Sequence, residues 1–246
     1  MSQTLMLPHE ALLLAGLVVV KPEGSGPFPV VVQMHGCGGV TAMQRTYAEA
    51  SCARGMAVVI VDSLTPRGIG DVAARLTVCT GMHLRGAERA ADLGLVLDWL
   101  ADQPWADPHR IAAAGWSHGA WAIMEALAAP QPHPRMTDLR IVSLFYPYAG
   151  VASRTRAHGW GRHQPPVFAC LAGRDLTVGR IAPRRAIERL QTDGLDVELL
   201  HLPEATHAFD EDHDNLDPRI TRRPDLTAQA RGAYLAALAR ALASAA

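Results

Sequence analysis

The sequence predicts an α/β protein in which helices cover both faces of a mostly parallel central sheet. Two observations lead to this fold class: short apolar segments alternate with longer segments of helix-forming residues, and no repeat, low-complexity linker or long charge run interrupts them. In addition, a chain of 246 residues that is 49% hydrophobic can bury a substantial core. We therefore expect one domain that spans residues 1–246.

The predicted elements follow one another in a regular order. Strands are expected at residues 30–34, 58–62, 111–115, 141–146, 167–173 and 197–202, and helices at residues 43–53, 88–102, 118–128, 180–193 and 227–243. The apolar run 11–20 is too short to span a bilayer and follows no basic residue, so it predicts the first antiparallel strands rather than a signal peptide or anchor. Residues 149–166 form the clearest loop, either a flap over the site or a plain surface connection.

The pentapeptide Gly-Trp-Ser-His-Gly at residues 115–119 lies between a predicted strand and a predicted helix. A nucleophilic serine on a tight strand-to-helix turn requires this context. Glycines two residues either side of Ser117 avoid collisions of side chains with the strand and the helix, and they tolerate a strained backbone. Ser117 is therefore the candidate nucleophile, and an ordinary glycine-rich turn is the alternative.

A serine hydroxyl needs a general base and an orienting acid before it can attack a carbonyl group. In this kind of site the acid and then the histidine follow the serine in the chain. Asp175 comes just after an apolar strand, and His207 lies in the loop that follows the strand 197–202. Because the carboxyl ends of parallel strands share one edge of the sheet, we expect Asp175 as the acid and His207 as the base.

A developing oxyanion also needs hydrogen-bond donors. The sequence His-Gly-Cys-Gly-Gly at residues 35–39 opens a loop after the first parallel strand, and its small residues leave backbone N–H groups free. The expected donors are the N–H groups of Cys37 and of His118, the residue after the candidate nucleophile. All four parts of a serine hydrolase therefore occur in the expected order.

Taken together, these motifs resemble the dienelactone hydrolase family of α/β-hydrolases. The resemblance rests on HGCGG at 35–39, PRG at 66–68, GWSHGAW at 115–121, AGRD at 172–175 and ATHAFD at 205–210, and it spans the chain from about Leu17 to the end. It implies an α/β-hydrolase fold, no cofactor and hydrolysis of small esters or lactones. It also assigns the nucleophile, acid and base to Ser117, Asp175 and His207.

The chain departs from this family in two places. Founding members use a cysteine nucleophile with a nearby glutamate in the oxyanion segment, whereas this chain has Ser117 and a glycine at position 36. Those enzymes also carry an arginine shortly after the catalytic histidine that grips a substrate carboxylate, but residues 208–212 here are Ala-Phe-Asp-Glu-Asp. The resemblance therefore does not extend to dienelactone itself as the substrate.

Several further residues are candidates for substrate contact. Arg67 or Arg85 could recognise an anion, although a surface arginine is the commoner outcome. Trp116 is next to the nucleophile, but its ring could be core filler or point away from the site. Tyr148 follows a strand at the expected edge. The acidic residues at 210–214 indicate either a preference for cationic substrates or a solvated loop.

The composition argues against several other classes of function. Four cysteines without a C-x-x-C pair and eleven histidines without H-E-x-x-H predict no metal site, and no other cofactor is expected. A formal net charge of −1 with interspersed signs gives no footprint for nucleic acid or an anionic membrane, so the expected partner is a small ester or lactone. A reducing cytoplasm is the expected location, and a bridge between Cys37 and Cys79 stays open.

Two other classes of function also stay open. The same acyl-serine could pass its acyl group to an amine, an alcohol or an internal nucleophile, which would make the protein a transferase, cyclase or peptidase. A hydrolase fold could instead serve as a non-catalytic binding module, although that function predicts damage to the candidate catalytic residues, and the sequence shows none. The oligomeric state cannot be predicted from these patterns.

Overall fold

A computed structural model describes residues 8–79, 82–161, 163–212, 217 and 219–243. Within them, a seven-stranded sheet has the order β1-β3-β2-β4-β5-β6-β7. The strands are β1 (Val18–Val20), β2 (Phe28–Met34), β3 (Ala57–Val61), β4 (Ala106–Trp116), β5 (Leu139–Phe145), β6 (Val167–Ala172) and β7 (Val197–Leu202). Only β1 pairs antiparallel, with β3, and the other neighbouring pairs are parallel. The predicted mostly parallel sheet is therefore confirmed.

Helices cover both faces of this sheet. They are α1 (Pro8–Ala15), α2 (Ala42–Cys52), α3 (Asp71–Ala73, continued by a π-helical turn at Ala74–Val78), α4 (Gly86–Ala101), α5 (His118–Ala128), α6 (Arg154–His158), α7 (Ile181–Thr192) and α8 (Pro224–Ala241). One apolar core lies between the sheet and α1, α4, α5 and α7. A second core lies between the opposite face and α2 and α8. The central strands are buried on both sides, as the apolar character of β3 requires.

The apolar run 11–20 differs from the prediction of two antiparallel strands. Its first half belongs to α1, and only Val18–Val20 forms a strand. Leu13 packs into the core with 1% of its surface exposed, whereas Leu12 is 57% exposed. A continuous apolar run carries no periodicity that separates a helix from a strand, so tertiary packing decides between them.

Part of the 149–166 segment is hydrogen-bonded to α5. The Glu125 carboxylate accepts a hydrogen bond from the Arg154 N–H at 2.7 Å. In addition, the Thr155 hydroxyl donates to the Met124 carbonyl at 3.2 Å. These bonds fix α6 beside the second half of α5.

Among the described residues, no helix combines the length and the apolar character that crossing a bilayer requires.

Candidate active site

Ser117 occupies a strained turn between β4 and α5. Its φ of 52° and ψ of −109° are unusual for a residue with a side chain. Glycine is required on both sides of it. A methyl group at Gly119 would overlap the Met34 carbonyl oxygen, and one at Gly115 would lie 2.5 Å from the Ala120 nitrogen. The turn therefore projects the serine from the carboxyl edge of the sheet.

The residues predicted as nucleophile, base and acid lie in one hydrogen-bonded series. Nε2 of His207 is 2.9 Å from Oγ of Ser117, and Nδ1 of His207 is 2.7 Å from Oδ2 of Asp175. The other carboxylate oxygen of Asp175 accepts hydrogen bonds from the N–H groups of Thr177 and Val178, at 2.9 and 3.0 Å. These two backbone donors fix the carboxylate in the orientation that faces the imidazole ring.

The series forms because three strands end at one edge of the sheet. Ser117 follows β4, Asp175 follows β6 and His207 follows β7. The loop after β7 has a positive φ of 49° at Ala208, and the ring of Tyr146 contacts the His207 ring edge-on at a centroid distance of 4.8 Å. The imidazole is therefore held between the acid, the serine hydroxyl and an aromatic ring.

The loop after β2 is oriented by the buried ring of His35. The Ser63 N–H donates to Nε2 of His35 at 3.1 Å, so the ring proton lies on Nδ1 and faces the Gly36 carbonyl oxygen at 2.5 Å. Burial, and then the charge of Arg89, lower the pKa of His35 to about 3, which keeps the ring neutral. Since the peptide is planar and trans, the Cys37 N–H points away from this fixed carbonyl.

His118 begins α5, so its backbone N–H has no partner within the helix. Its ring is buried, and Nδ1 accepts a hydrogen bond from Nη1 of Arg89 at 3.1 Å. Burial, together with the neighbouring guanidinium, lowers the pKa of His118 well below its ordinary value. Arg89 is itself fully buried, and burial lowers its pKa to about 10. A neutral histidine thus separates a buried cation from the serine turn.

The expectation that Trp116 contacts substrate is wrong. Its ring has no exposed surface, and it stacks on Phe145 at a centroid distance of 5.0 Å. Strand alternation in β4 explains the orientation: Ala112, Ala114 and Trp116 share the core beneath α2 and α8, whereas Ala113 faces the other core. Because Trp116 lies an even number of residues from Ala112 and Ala114, the alternation along β4 would have predicted that its ring faces the core.

Arg67 is also unavailable as an anion-binding residue. Its guanidinium donates to both carboxylate oxygens of Asp92, at 3.0 and 2.6 Å, and to the Ser63 carbonyl oxygen at 2.8 Å. Tyr148, by contrast, lies beside the predicted nucleophile. Its N–H donates to the Ser117 carbonyl oxygen at 3.3 Å, and its partly buried ring packs on another aromatic ring.

A disulfide joins Cys37 to Cys79, with a Cα–Cα distance of 5.0 Å. This settles the alternative that the sequence left open. The bridge ties the loop after β2 to the turn that follows α3, and Cys37 packs against the small apolar cluster there. Cys52 and Cys170 are free thiols, and Cys170 is buried as its position on an apolar strand predicts.

The acidic run at 210–214 is not a uniformly solvated loop. Asp210 is 6% exposed and accepts hydrogen bonds from the hydroxyls of Tyr47 at 3.0 Å and Tyr146 at 2.7 Å. Burial raises the pKa of Asp210 to about 6. Glu211 is also buried, whereas the side chain of Asp212 is 66% exposed and pairs with an arginine. Residue 214 lies outside the described residues.

Arg89, a buried charged residue beside the site, escaped the sequence analysis. It lies in a polar stretch that predicts an exposed surface, and only contacts between distant segments bury it. The sequence carries no signal for this burial. Among the residues that the structure describes, no group of three or more histidine, cysteine or carboxylate side chains could hold a metal ion.

The α/β-hydrolases have this arrangement: a strained serine follows one parallel strand, and an acid and a histidine follow later strands at the same edge of the sheet. The sheet and its covering helices place the protein in that fold class. The sequence model of the dienelactone hydrolase family matches residues 15–240. The chain therefore belongs to this family.

Solved structures share the fold at low sequence identity. A dienelactone hydrolase-like promiscuous phosphotriesterase from metagenomic libraries is 19% identical with a TM-score of 0.71, covering 92% of this chain and 98% of its own. A thermophilic esterase from Thermogutta terrifontis with bound propionate is 18% identical with a TM-score of 0.68, covering 94% and 91%. Esterase 2 of that organism, phosphonylated by sarin, is 19% identical with a TM-score of 0.66, covering 93% and 91%. No curated protein matches the sequence.

Proposed function

We propose that the protein is a serine hydrolase that cleaves a small carboxylic ester or lactone through an acyl-serine intermediate. Ser117 is the nucleophile, His207 the general base and Asp175 the orienting acid. The observation that carries this proposal is the series of hydrogen bonds from the Ser117 hydroxyl through the imidazole to the carboxylate, at 2.9 and 2.7 Å. Both distances lie within the range that proton transfer and orientation require.

The mechanism follows from this geometry. His207 takes the proton of Ser117 as Oγ forms a bond to the carbonyl carbon, and Asp175 stabilises the imidazolium that results. The N–H groups of Cys37 and His118 stabilise the oxyanion, each contributing about 3 kcal/mol. The C–O bond to the alcohol then breaks, and His207 returns its proton to the leaving oxygen. Water, deprotonated by His207, then attacks the acyl-serine. The bond between the acyl carbon and Oγ of Ser117 breaks, Oγ takes the proton back from His207, and the carboxylic acid is released.

The ring of His35 has a positioning role in this scheme. It fixes the Gly36 carbonyl, and the Cys37 N–H therefore has one orientation before substrate arrives. The disulfide at Cys37 holds the same loop from its other side. A preorganised donor needs no rearrangement at the moment of reaction, which is the condition under which such donors contribute most to the rate.

Structural relatives support the choice of small substrates. The Thermogutta terrifontis esterase binds propionate and butyrate, and organophosphorus compounds modify it. Esters of acids with three or four carbon atoms are therefore the first substrates to test here. No cofactor enters the proposed reaction. The cytoplasmic location remains an expectation, and the disulfide argues against it because such bridges are rare in reducing compartments.

The proposal is tested by labelling the protein with a fluorophosphonate and measuring intact mass, together with turnover of 4-nitrophenyl propionate and butyrate. The native protein should gain one adduct, and Ser117→Ala should gain none and lose about 10⁴- to 10⁶-fold in kcat. Ser25→Ala, which removes an exposed serine, is the matched control and should behave as the native protein. Near-native turnover by Ser117→Ala would overturn the assignment.

Acyl transfer and hydrolysis share the adduct, so a separate measurement distinguishes them. Product analysis in the presence of a competing amine or alcohol shows whether water or the added nucleophile takes the acyl group. Free acid as the main product supports the proposed hydrolase, and an amide or exchanged ester as the main product supports a transferase.

A further inference from the structure

Tyr146 lies where the strands that lead to the candidate catalytic residues end. It directly follows β5, which pairs with β4 on one side and with β6 on the other. The peptide group that joins Phe145 to Tyr146 connects both neighbours. Its carbonyl oxygen accepts a hydrogen bond from the Ser117 N–H at 2.9 Å, and its N–H donates to the Cys170 carbonyl of β6 at 2.7 Å. This peptide group therefore joins the serine turn to the strand that leads to Asp175.

The side chain of Tyr146 reaches the third candidate residue. Tyr146 is buried, and its ring contacts the imidazole of His207 at a centroid distance of 4.8 Å and an interplanar angle of 63°. Its hydroxyl donates at 2.7 Å to Oδ1 of Asp210, which lies in the same loop as the histidine. One side chain thus contacts the base directly and also fastens the loop that carries it.

The backbone of Tyr146 depends on these contacts. Its φ of 35° lies in the left-handed region, which is unfavourable for a residue with a side chain and persists only where surrounding contacts hold it. The hydrogen bond to Asp210 is one of those contacts. Once that bond is lost, relaxation of the backbone would also move the ring relative to the imidazole of His207.

We propose that Tyr146 is a positioning residue that holds the His207 imidazole against the Ser117 hydroxyl. This inference rests on the proposed serine hydrolase function and adds to it the residue that aligns the base with the nucleophile. A misplacement of about 1 Å in such an arrangement lowers the rate by about 10²-fold. Because Tyr146 is buried and does not reach substrate, its effect should fall on kcat and not on KM.

Tyr47 provides a matched comparison, because its hydroxyl donates to the other oxygen of the same carboxylate, Oδ2 of Asp210, at 3.0 Å. It lies within the regular helix α2, and among the described residues its ring contacts other aromatic rings of the core and not that of His207. A phenylalanine at either position therefore removes one hydrogen bond from Asp210. Only one of the two substitutions alters a ring that touches the base.

The test measures turnover of 4-nitrophenyl butyrate by Tyr146→Phe, Tyr146→Leu and Tyr47→Phe. The value of kcat is expressed per serine that a fluorophosphonate labels to completion, so unfolded molecules do not count. Tyr146→Phe should lower kcat about tenfold, and Tyr146→Leu, which also removes the ring, about 10²-fold, each with KM within about twofold of native. Tyr47→Phe should keep kcat within about twofold of native, although both phenylalanine variants should lower the melting temperature by similar amounts.

The rate of fluorophosphonate labelling gives an independent readout, because it needs the same proton transfer from Ser117 to His207 but involves no ester. In both Tyr146 variants it should fall in parallel with kcat. A residue that only stabilises the core would lower the melting temperature and the labelled fraction. It would change neither the labelling rate nor kcat per labelled serine.

Each outcome decides the inference. A native kcat and labelling rate in Tyr146→Phe would overturn it, and so would a raised KM at unchanged kcat. Equal losses of kcat in Tyr146→Phe and Tyr47→Phe would also overturn it, because they would assign the effect to the anchoring of Asp210. In these cases labelling and turnover by the native protein leave the serine hydrolase standing.

Absence of both labelling and turnover in the native protein would overturn the proposed function and the inference with it. Should Tyr146→Leu not fold, the two phenylalanine variants decide the question, because each removes a single hydroxyl and keeps the ring.

Discussion

Removing the disulfide between Cys37 and Cys79 should destabilise the protein by an amount set by the number of residues in the loop that the bridge closes. The two cysteines are 42 residues apart in sequence. Closing a loop of that length removes about 13 cal/mol/K of entropy from the unfolded chain, which corresponds to about 4 kcal/mol at 25 °C. For a protein of this size, that loss lowers the melting temperature by about 10 °C.

The measurement is guanidinium unfolding of Cys79→Ser and of the native protein, each with and without reductant. The variant and the reduced native protein should unfold at the same denaturant concentration, below that of the oxidised native protein. Cys52→Ser, which removes a free thiol, is the control and should unfold at the same denaturant concentration as the oxidised native protein. Equal stability of Cys79→Ser and the oxidised native protein would refute the reasoning, as would four alkylated cysteines in the unreduced, denatured native protein.

The same variant has a kinetic consequence, because the bridge holds the loop that carries the Cys37 N–H. Cys79→Ser should lower kcat for small esters more than it raises KM, since an oxyanion donor acts in the transition state and not in substrate binding. An unchanged kcat would show that the interaction of His35 with the Gly36 carbonyl orients the loop without the bridge.

Four further substitutions test the packing and the charges around the site. Gly119→Ala should abolish folding, since its methyl group overlaps the backbone of β2, whereas Gly38→Ala, with no atom within 4 Å of the added carbon, should stay within about 0.5 kcal/mol of native in a thermal melt. Asp210 has a pKa of about 6 in the folded protein and an ordinary value of 3.8, so the unfolded chain loses this proton at lower pH. The free energy of unfolding should therefore fall by about 3 kcal/mol as the pH rises from about 4 to 6. Asp210→Asn should remove this pH dependence from denaturant titrations. Arg67→Gln should lower the free energy of unfolding by about 2 kcal/mol and leave KM unchanged, because the guanidinium binds Asp92 and not substrate; a raised KM at native stability would contradict this.

The sheet was predictable because each central strand contains a short, mainly apolar run. The predicted strand 30–34 lies inside β2, the strand 58–62 is displaced from β3 by one residue, and β7 coincides with its prediction. The amino terminus was not predictable, since three consecutive leucines fit a helix and a strand equally well. Pro8 at the first position of α1 was the available signal there.

The relative positions of Ser117, Asp175 and His207 could be predicted because parallel strands end at a common edge, so that residues just beyond three strands meet. Their chemical roles remain predictions. The environment of the site could not be predicted in the same way. Whether a charged side chain is buried depends on segments far away in sequence, as when the hydroxyls of Tyr47 and Tyr146 meet Asp210.

The loop that carries His207 is fastened to the aromatic core. Asp210, three residues after the histidine, accepts hydrogen bonds from Tyr47 of α2 and from Tyr146, which directly follows β5. The position of the imidazole ring therefore depends on packing beneath the sheet. Loops elsewhere at this edge can lengthen or change in sequence without displacing the histidine, so this scaffold separates the part that reacts from the parts that are free to diverge.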